Sequence, residues 1–325
     1  MKSILNKSYI LIFTSALLTL FSACDHKELI FDSEPTPVKQ RSRTRVVYDW
    51  RYAPEANPAS MELCLYPSNS SKHLSFNLTG KDGGYISLAP GKYDAISMNN
   101  DDLDWAKYRN TNDEDDFEVY THDASELGAY KLLTSSIPRA SGTEDERMAA
   151  TPELSWGTRS DNFTISEENG ENVITLYPEE VVCHYTVKIL NVDNILSARG
   201  EEIDGTLSGM AEGYRFGSNV TTDSPVTMPF TLQIDAENRT LHGEFLTFGE
   251  CNTLEAKHIL TVYLFLTDGS KWYYTFDVHD QVAEAPDPRH VDIIVDGLTL
   301  PKPLSTGGLI PDVNDWNTEV VDIKM

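Results

Sequence analysis

Basic residues are scarce in this sequence of 325 residues. Lysine and arginine together number 26, against 51 aspartate and glutamate residues, so the formal net charge is −25 at pH 7. Nucleic acids and anionic lipid surfaces carry dense negative charge, and proteins bind them through clustered lysine and arginine. The charge balance therefore excludes nucleic acid as a partner, and it excludes membrane binding through a basic patch.

Motifs of catalysis and cofactor binding are also absent. The sequence holds no H-E-x-x-H zinc motif, no G-x-S-x-G nucleophile elbow, no G-x-x-x-x-G-K-[ST] phosphate loop and no G-x-G-x-x-G dinucleotide motif. We therefore predict that the protein is not an enzyme and has no cofactor.

Two short segments carry histidine and carboxylate side chains at the spacing of one strand face. Asp277 with His279, and His290 with Asp292, could together hold a divalent metal. We favour the alternative, ordinary polar residues at strand ends. The acidic clusters at 101–104 and 113–116 lack the spacing and glycine of an EF-hand and are interpreted as solvated loops. The sequence thus predicts no metal site.

No apolar run is long enough for a comfortable membrane-spanning helix, which needs about 20 residues. The run from Tyr9 to Phe21 follows Lys2 and Lys7, and small residues then precede Cys24. This order is typical of a secretory signal peptide. A cysteine behind small residues at the end of an export segment accepts a diacylglyceryl lipid in bacteria. We predict a lipoprotein signal peptide over 1–23 and fatty acylation, such as palmitate, at Cys24; the alternative is a plain secretory signal.

Residues 24–43 are predicted to form a spacer, because they are polar, hold two prolines and show no apolar period. The charges of Asp25, Lys27 and Glu28 resemble surface-export signals of lipoproteins in some Gram-negative anaerobes. We therefore expect an outer-membrane protein, anchored through the lipid on Cys24 and exposed at the cell surface. A protease of trypsin-like specificity could cut near the end of the spacer, at Arg41, Arg43 or Arg45.

Cysteine is rare, with four residues in the chain. If Cys24 carries lipid, three remain, and an odd number cannot all pair within one chain. Cys183 is in phase with Val181 and Tyr185 on the predicted buried face of a strand, so we expect a packed free thiol. Neither a disulfide framework nor a thiolate metal site is predicted.

What the sequence does contain is a recurring strand pattern. Short runs of β-branched and aromatic residues are separated by Gly, Pro, Asn and Asp, as in β-sandwiches. The polar stretch at 134–152 is predicted to form a long loop, and Thr267–Ser270 is predicted to form a hairpin turn. Two short helices are possible, at Leu103–Tyr108 and Ser125–Leu132. Strands are predicted near Arg45–Trp50, Met61–Tyr66, Leu74–Leu78, Tyr85–Leu88, Lys92–Asn99, Phe117–Tyr120, Val173–Leu176, Val181–Ile189, Phe230–Ile234, Leu241–Phe248, Ile259–Leu266, Trp272–Val278 and Val291–Val295.

The length after the spacer, roughly 280 residues, suits two domains. We place an N-terminal β-sandwich at 44–177 and a C-terminal β-sandwich at 178–300. Residues 301–325 differ in composition and are predicted to form a C-terminal arm or an edge strand. Such a strand is suited to β-augmentation between subunits; the alternative is that it completes the second domain.

Several segments resemble a family of uncharacterised lipoproteins from gut and oral Gram-negative anaerobes. The resemblance runs nearly from end to end, and the segments that carry it have no known chemistry. They are Cys24–Leu29, Val46–Trp50, Asn57–Met61, Gly80–Gly84, Pro90–Tyr93, Leu207–Ala211, Thr247–Gly249 and Gly307–Trp316.

This family resembles FimB-type fimbrial anchors and fimbrillin lipoproteins, which consist of two transthyretin-like, Greek-key β-sandwiches. The resemblance implies an all-β, lipid-anchored surface protein that serves as a fimbrial anchor, minor or tip subunit and binds fimbrial subunits by strand addition. The alternative is a surface lipoprotein that binds a glycan or another host-surface ligand. Exposed aromatic rings such as Tyr52, Trp105 and Tyr108 could stack on sugars, but most aromatic residues of a β-sandwich belong to its core, and the sequence singles out no carbohydrate platform.

Overall fold

Strands account for most of the secondary structure, as the recurring β-branched and aromatic runs predict. The computed structural model describes residues 41–101, 105–125, 137–167, 171–200, 202–253, 256–302 and 316–320. Within these ranges the helical elements are a 3-10 turn at Ile195–Ser197 and a helix at His279–Ala283. The predicted all-β fold is confirmed.

The strands are numbered in chain order. They are β1 (Ser42–Tyr48), β2 (Ser60–Pro67), β3 (Leu74–Thr79), β4 (Gly84–Leu88), β5 (Gly91–Asn99), β6 (Ala106–Arg109), β7 (Glu118–Thr121), β8 (Arg147–Met148), β9 (Trp156–Ile165), β10 (Asn172–Leu176), β11 (Glu179–Glu180), β12 (Cys183–Asp193), β13 (Glu202–Ala211), β14 (Gly213–Arg215), β15 (Val220–Thr221), β16 (Pro225–Asp235), β17 (Thr240–Thr247), β18 (Ile259–Phe265), β19 (Lys271–Asp277), β20 (His290–Thr299) and β21 (Trp316–Val320).

The first sandwich packs a three-stranded sheet against a five-stranded sheet. Their strand orders are β10-β1-β4 and β11-β9-β5-β2-β3. Alternate residues of each strand enter a shared core, such as Val46 from β1 and Leu63 from β2, both at most 1% exposed. Burying one such side chain stabilises the fold by about 1.5–3 kcal/mol. The buried Tyr48 hydroxyl is satisfied by Ser97 Oγ at 2.7 Å.

The second sandwich is formed by one nine-stranded sheet. Its order is β20-β12-β17-β16-β13-β18-β19-β21, with β8 paired to β16. The predicted alternation of β12 is confirmed, because Tyr185, Val187 and Ile189 are at most 2% exposed and belong to the core cluster. Two β-sandwiches are thus present, as predicted.

A smaller sheet, the junction sheet, joins the two sandwiches. Its order is β15-β14-β7-β6, so that strands from both sides of the predicted boundary at 177/178 pair with each other. Gly213 is required here, since a Cβ would lie 2.2 Å from the Val119 carbonyl oxygen of β7. An apolar cluster backs this sheet and includes Trp105, Phe117, Val119, Phe216 and Phe248. The domain boundaries themselves stay a prediction.

Charged side chains on the junction sheet form a partly buried network. Glu212 accepts hydrogen bonds from Arg109 at 2.8 Å and from Arg147 at 2.9 Å. The Glu118 carboxylate, 3% exposed, pairs with Arg109 and with Arg215. Two carboxylates are thus held by three guanidinium groups from strands on either side of the junction. Charge-assisted hydrogen bonds of this kind are stronger than neutral ones.

Some local predictions were wrong. The predicted helix Leu103–Tyr108 overlaps strand β6 (Ala106–Arg109), whose backbone pairs with β7. Most of the second predicted helix, 126–132, lies outside the described residues. By contrast, Cys183 is a free thiol packed against the core of the second sandwich, as predicted, although it is only half-buried at the first residue of β12 and Val181 precedes the strand.

Strands β9 and β13 were missed because their sequences look like loops. Asn162 interrupts β9 with a φ of 60° at a register shift against β5. Gly209 has a φ of 75° where β13 shifts register against β16. Gly205 is needed in β13, since a Cβ would lie 2.8 Å from the Phe230 ring. Asn162 and Gly209 therefore mark bulges inside strands rather than loops between them.

We expect Glu212→Gln to lower the free energy of unfolding by about 2 kcal/mol, because it weakens charge-assisted hydrogen bonds to two arginines. The control is Asp223→Asn, which removes the more exposed pair with Arg215 and should cost less than about 1 kcal/mol. Urea unfolding of both variants measures the difference. Equal effects of the two substitutions would contradict the stabilising role of the network.

Candidate functional site

The open edge at β21 is the first candidate site. The hairpin β18–β19 has the predicted turn, with Gly269 at a φ of 87° and Asp268 accepting hydrogen bonds from the Ser270 backbone and hydroxyl. The segment Trp316–Val320 then adds to β19 in parallel, through five residue pairs. Within the described residues β21 pairs with β19 alone, so it ends the nine-stranded sheet.

Trp316 attaches β21 to the hairpin. Its ring lies 5.6 Å from Tyr263, 5.7 Å from Phe265 and 6.5 Å from Tyr273, measured between ring centroids. The Lys271 ammonium is 5.9 Å from the same ring. These aromatic and cation–π contacts lie apart from the main core of the second sandwich. The strand is therefore held by its own anchor rather than by that core.

The opposite edge of the same sheet, β20, is protected by one side chain. The Gln281 amide donates from Nε2 to the Ile294 carbonyl oxygen at 3.0 Å, and its Oε1 accepts from the Ile294 N–H at 2.8 Å. Gln281 lies on the short helix His279–Ala283 and imitates one residue of a neighbouring strand. Unpaired edges invite pairing with other chains, and covering them prevents it. The two edges of the sheet are thus unlike each other.

A groove opens inside the sheet where β16 and β17 separate. These strands pair from Gln233↔His242 to Asp235↔Thr240 only. Beyond this ladder lies a groove of about 730 Å³, lined by segment 151–154 and by both strands. Leu154, 41% exposed, is its main exposed apolar side chain. An extended peptide could pair with strand backbone here as well, so the groove is a second candidate site.

The histidine and carboxylate pairs of the sequence analysis are not brought together. The His279 ring stacks on His258 and the His290 ring stacks on His184, each pair with centroids 5.2 Å apart. His290 Nδ1 also lies 3.0 Å from Asp287. Each histidine therefore has its own ring partner, which is the ordinary polar role that the sequence analysis favours.

One acidic cluster does converge. Asp94, Glu114 and Asp161 place carboxylate oxygens within 4.8 Å of one another. Arg159 supplies positive charge, with its guanidinium 2.9 Å from Glu114 and 2.8 Å from Asp161. Burial raises the pKa of Glu114 to about 7, the nearby Arg159 lowering it and Asp94 raising it further. Asp102 and Asp104 of the other predicted cluster lie outside the described residues.

The remaining predicted residues fall in varied surroundings. Cys24 lies outside the described residues, so its lipidation stays a prediction. Trp105 is 2% exposed and belongs to the apolar cluster behind the junction sheet, so its ring is not available to stack on a sugar. Tyr52, in contrast, is 67% exposed. Arg43 and Arg45 lie within β1, which pairs on both sides, with β4 and β10. Cleavage there would cut the central strand of a sheet.

Three cysteines are described as free thiols: Cys64, Cys183 and Cys251. Burial raises their pKa values, to about 12 for Cys64 and about 11 for the other two. The thiolate is the nucleophile and the metal ligand, so these groups are poorly reactive at neutral pH.

Residues 23–231 match the family described as a domain of unknown function, DUF5119. The chain belongs to the DUF5119 family. The match covers more than half of the chain and includes the first sandwich and the junction sheet. The prediction of an uncharacterised family is therefore confirmed. None of the curated proteins matches the chain.

Solved structures extend the comparison of this DUF5119 protein. A candidate adhesin from Bacteroides ovatus superposes with a TM-score of 0.61 at 18% identity, over 82% of this chain and 94% of the other. This similarity establishes a shared fold. The fimbrial anchor protein Mfa2 from Porphyromonas gingivalis superposes with a TM-score of 0.49 at 10% identity, over 79% of this chain and 90% of the other. The described helices are too short and polar to cross a membrane.

We expect Gln281→Ala to make the protein self-associate, because it leaves the Ile294 N–H and carbonyl oxygen of an edge strand without their partner. The control Asp296→Asn changes a side chain on the same strand and leaves the Gln281 contact intact. Sedimentation velocity over a concentration series measures the result. A strictly monomeric Gln281→Ala protein would contradict the edge-protection role.

We expect the free energy of unfolding to fall as the pH rises from about 4.5 to about 7, in part through Glu114. In this window the folded state binds more protons than the unfolded state, so deprotonation favours unfolding. Glu114→Gln should reduce that fall, whereas Asp116→Asn, an exposed neighbour in the same loop, should not. Urea unfolding at pH 5 and pH 8 tests this; identical pH dependence in all three proteins would rule it out.

Proposed function

We propose that this protein is a lipid-anchored structural protein of the outer membrane and cell surface. It serves as a fimbrial anchor, minor or tip subunit and binds its partner by strand addition at the β21 edge. The observation that supports this most directly is β21 itself: among the described residues it is an end strand of the nine-stranded sheet, held by five residue pairs and by Trp316.

The anchor is Cys24, with the signal peptide removed before it. The family match starts at residue 23, so the region shared by the family starts beside the proposed lipid attachment residue. Residues 25–41 then separate the lipid-bearing Cys24 from β1, which starts at Ser42. A single acyl chain binds membranes only marginally, and stable anchoring takes more than one chain, which a diacylglyceryl cysteine supplies.

The contrast between the two sheet edges explains why the partner binds at β21. Nine residue pairs join β20 to β12, and Gln281 covers the outer side of β20 at Ile294. At the other end of the sheet, five residue pairs join β21 to β19, and the outer edge of β21 pairs with no other described strand. In strand addition, main-chain hydrogen bonds supply affinity and alternate side chains supply register. The partner's strand extends the sheet from β21.

The test is deletion of the residues that follow Pro301, made in the full lipidated protein on cells. We expect the deletion to abolish recovery of partner subunits in a pull-down analysed by mass spectrometry, while thermal unfolding of the purified protein stays cooperative, because the contacts of Trp316 lie outside both sandwich cores. Trp316→Ala should weaken recovery in the same direction.

Two matched variants control the experiment. Leu154→Asp alters the groove between β16 and β17 and should leave recovery unchanged. Cys24→Ala should release the protein from the membrane without changing its fold. Unchanged recovery after the deletion, or loss of recovery in Leu154→Asp alone, would overturn the β21 edge as the binding site. Membrane retention of Cys24→Ala would overturn the anchor.

A further inference from the structure

A cleft lies where the first sandwich meets the junction sheet. Its volume is about 330 Å³, within the range of about 300–1,000 Å³ that small-molecule sites occupy. Tyr52, Tyr177 and residues 157–160 line one side, and Tyr214 and Asn219 line the other. The two sides come from distant parts of the chain, and binding sites are frequent at such domain junctions.

Two tyrosine side chains that line this cleft are exposed to solvent. Tyr52 is 67% exposed and Tyr177 is 41% exposed. Their ring centroids are 6.5 Å apart and the planes are inclined by 64°. Within the described residues neither hydroxyl has a hydrogen-bond partner. Large exposed aromatic side chains that do not pack into a core mark a recognition surface.

The floor of the cleft is rigid. Phe216 is buried, and a Cβ at position 157 would lie 2.4 Å from its ring, so Gly157 is what lets the ring occupy this place. Tyr214 packs edge-on against Phe216 with centroids 5.3 Å apart, and its hydroxyl donates to Asn219 Oδ1. Asn219, which accepts this hydrogen bond through Oδ1, is itself exposed and lines the cleft.

The charges around the cleft are of both signs. The Arg51 guanidinium lies 4.9 Å from the centre of the Tyr177 ring, and Arg159 is part of the lining, so a cationic ligand meets positive charge. Glu179 also lines the cleft, and Asp161 pairs with Arg159. An anionic ligand meets these carboxylates and the large negative charge of the whole protein. The cleft therefore presents no excess of one sign of charge to attract an ionic ligand, and this balance is compatible with a neutral one.

We infer that this cleft binds a neutral saccharide. A sugar ring presents an apolar C–H face, which suits the exposed Tyr52 ring and the part of the Tyr177 ring that Arg51 leaves exposed. Its rim of hydroxyl groups suits the Asn219 amide and the polar residues 158–160. This site is separate from the β21 edge, and it does not depend on strand addition.

The experiment uses the complete lipidated protein in detergent on an array of neutral and of sialylated or uronic-acid-containing oligosaccharides, followed by calorimetric titration with the free neutral oligosaccharide that gives the strongest signal. We expect Tyr177→Ala and Tyr52→Ala each to weaken its affinity at least about tenfold. Tyr177→Phe should retain most of the affinity, because the ring face remains. The control Tyr85→Ala removes another exposed ring, 51% exposed and covered by Arg43, and should have no effect.

Deletion of the residues after Pro301 should leave saccharide affinity unchanged, so failure of the strand-addition proposal and failure of this one are distinguishable. No retention of any neutral oligosaccharide would overturn the inference. Retention of acidic oligosaccharides alone, or an affinity that the two tyrosine-to-alanine substitutions leave unchanged in proteins with the thermal stability of the parent, would also overturn it.

Discussion

The arrangement of the two sandwiches depends on the carboxylates of Glu118 and Glu212. Glu118 is the first residue of β7, and Glu212 directly precedes β14. Both have little contact with water, and a buried carboxylate is costly unless it is paired. Arg109, Arg147 and Arg215 provide that pairing from strands far apart in the sequence. Because each arginine comes from a different segment, neutralising the carboxylates requires those segments to meet. Charge satisfaction thus specifies the junction, while the apolar cluster behind it supplies most of the stabilisation.

The strand pattern predicts the fold well where pairing is local. The β18–β19 hairpin follows from the turn residues Asp268 and Gly269. The buried face of β12 follows from its apolar residues, which recur at every second position. The junction sheet could not be predicted, because β7 and β14 are separated by some ninety residues and neither is long enough to show a period. Strand β13 was missed for a related reason. Gly205 makes room for the Phe230 ring, and Gly209 lies at a bulge. Neither role can be recognised before the partner strands are known.

The candidate sites likewise include some features that the sequence predicts and others that depend on the folded structure. Exposed aromatic residues were suggested by the sequence, yet composition cannot separate Tyr52, which is open to solvent, from Trp105, which is buried. The role of Gln281 was not predictable, since it depends on a helix that brings its amide to a strand thirteen residues along the chain. Position in the fold, rather than residue type, decides which of these side chains is available to a partner.

The protection of β20 by Gln281 has a consequence for the conditions under which this sheet stays closed. Many edge strands are guarded by lysine, and repulsion between charges is screened by salt. A carboxamide has no charge to screen and no proton to gain or lose within the physiological range. The β20 edge therefore keeps the same protection at low and high ionic strength and across mildly acidic or alkaline surroundings.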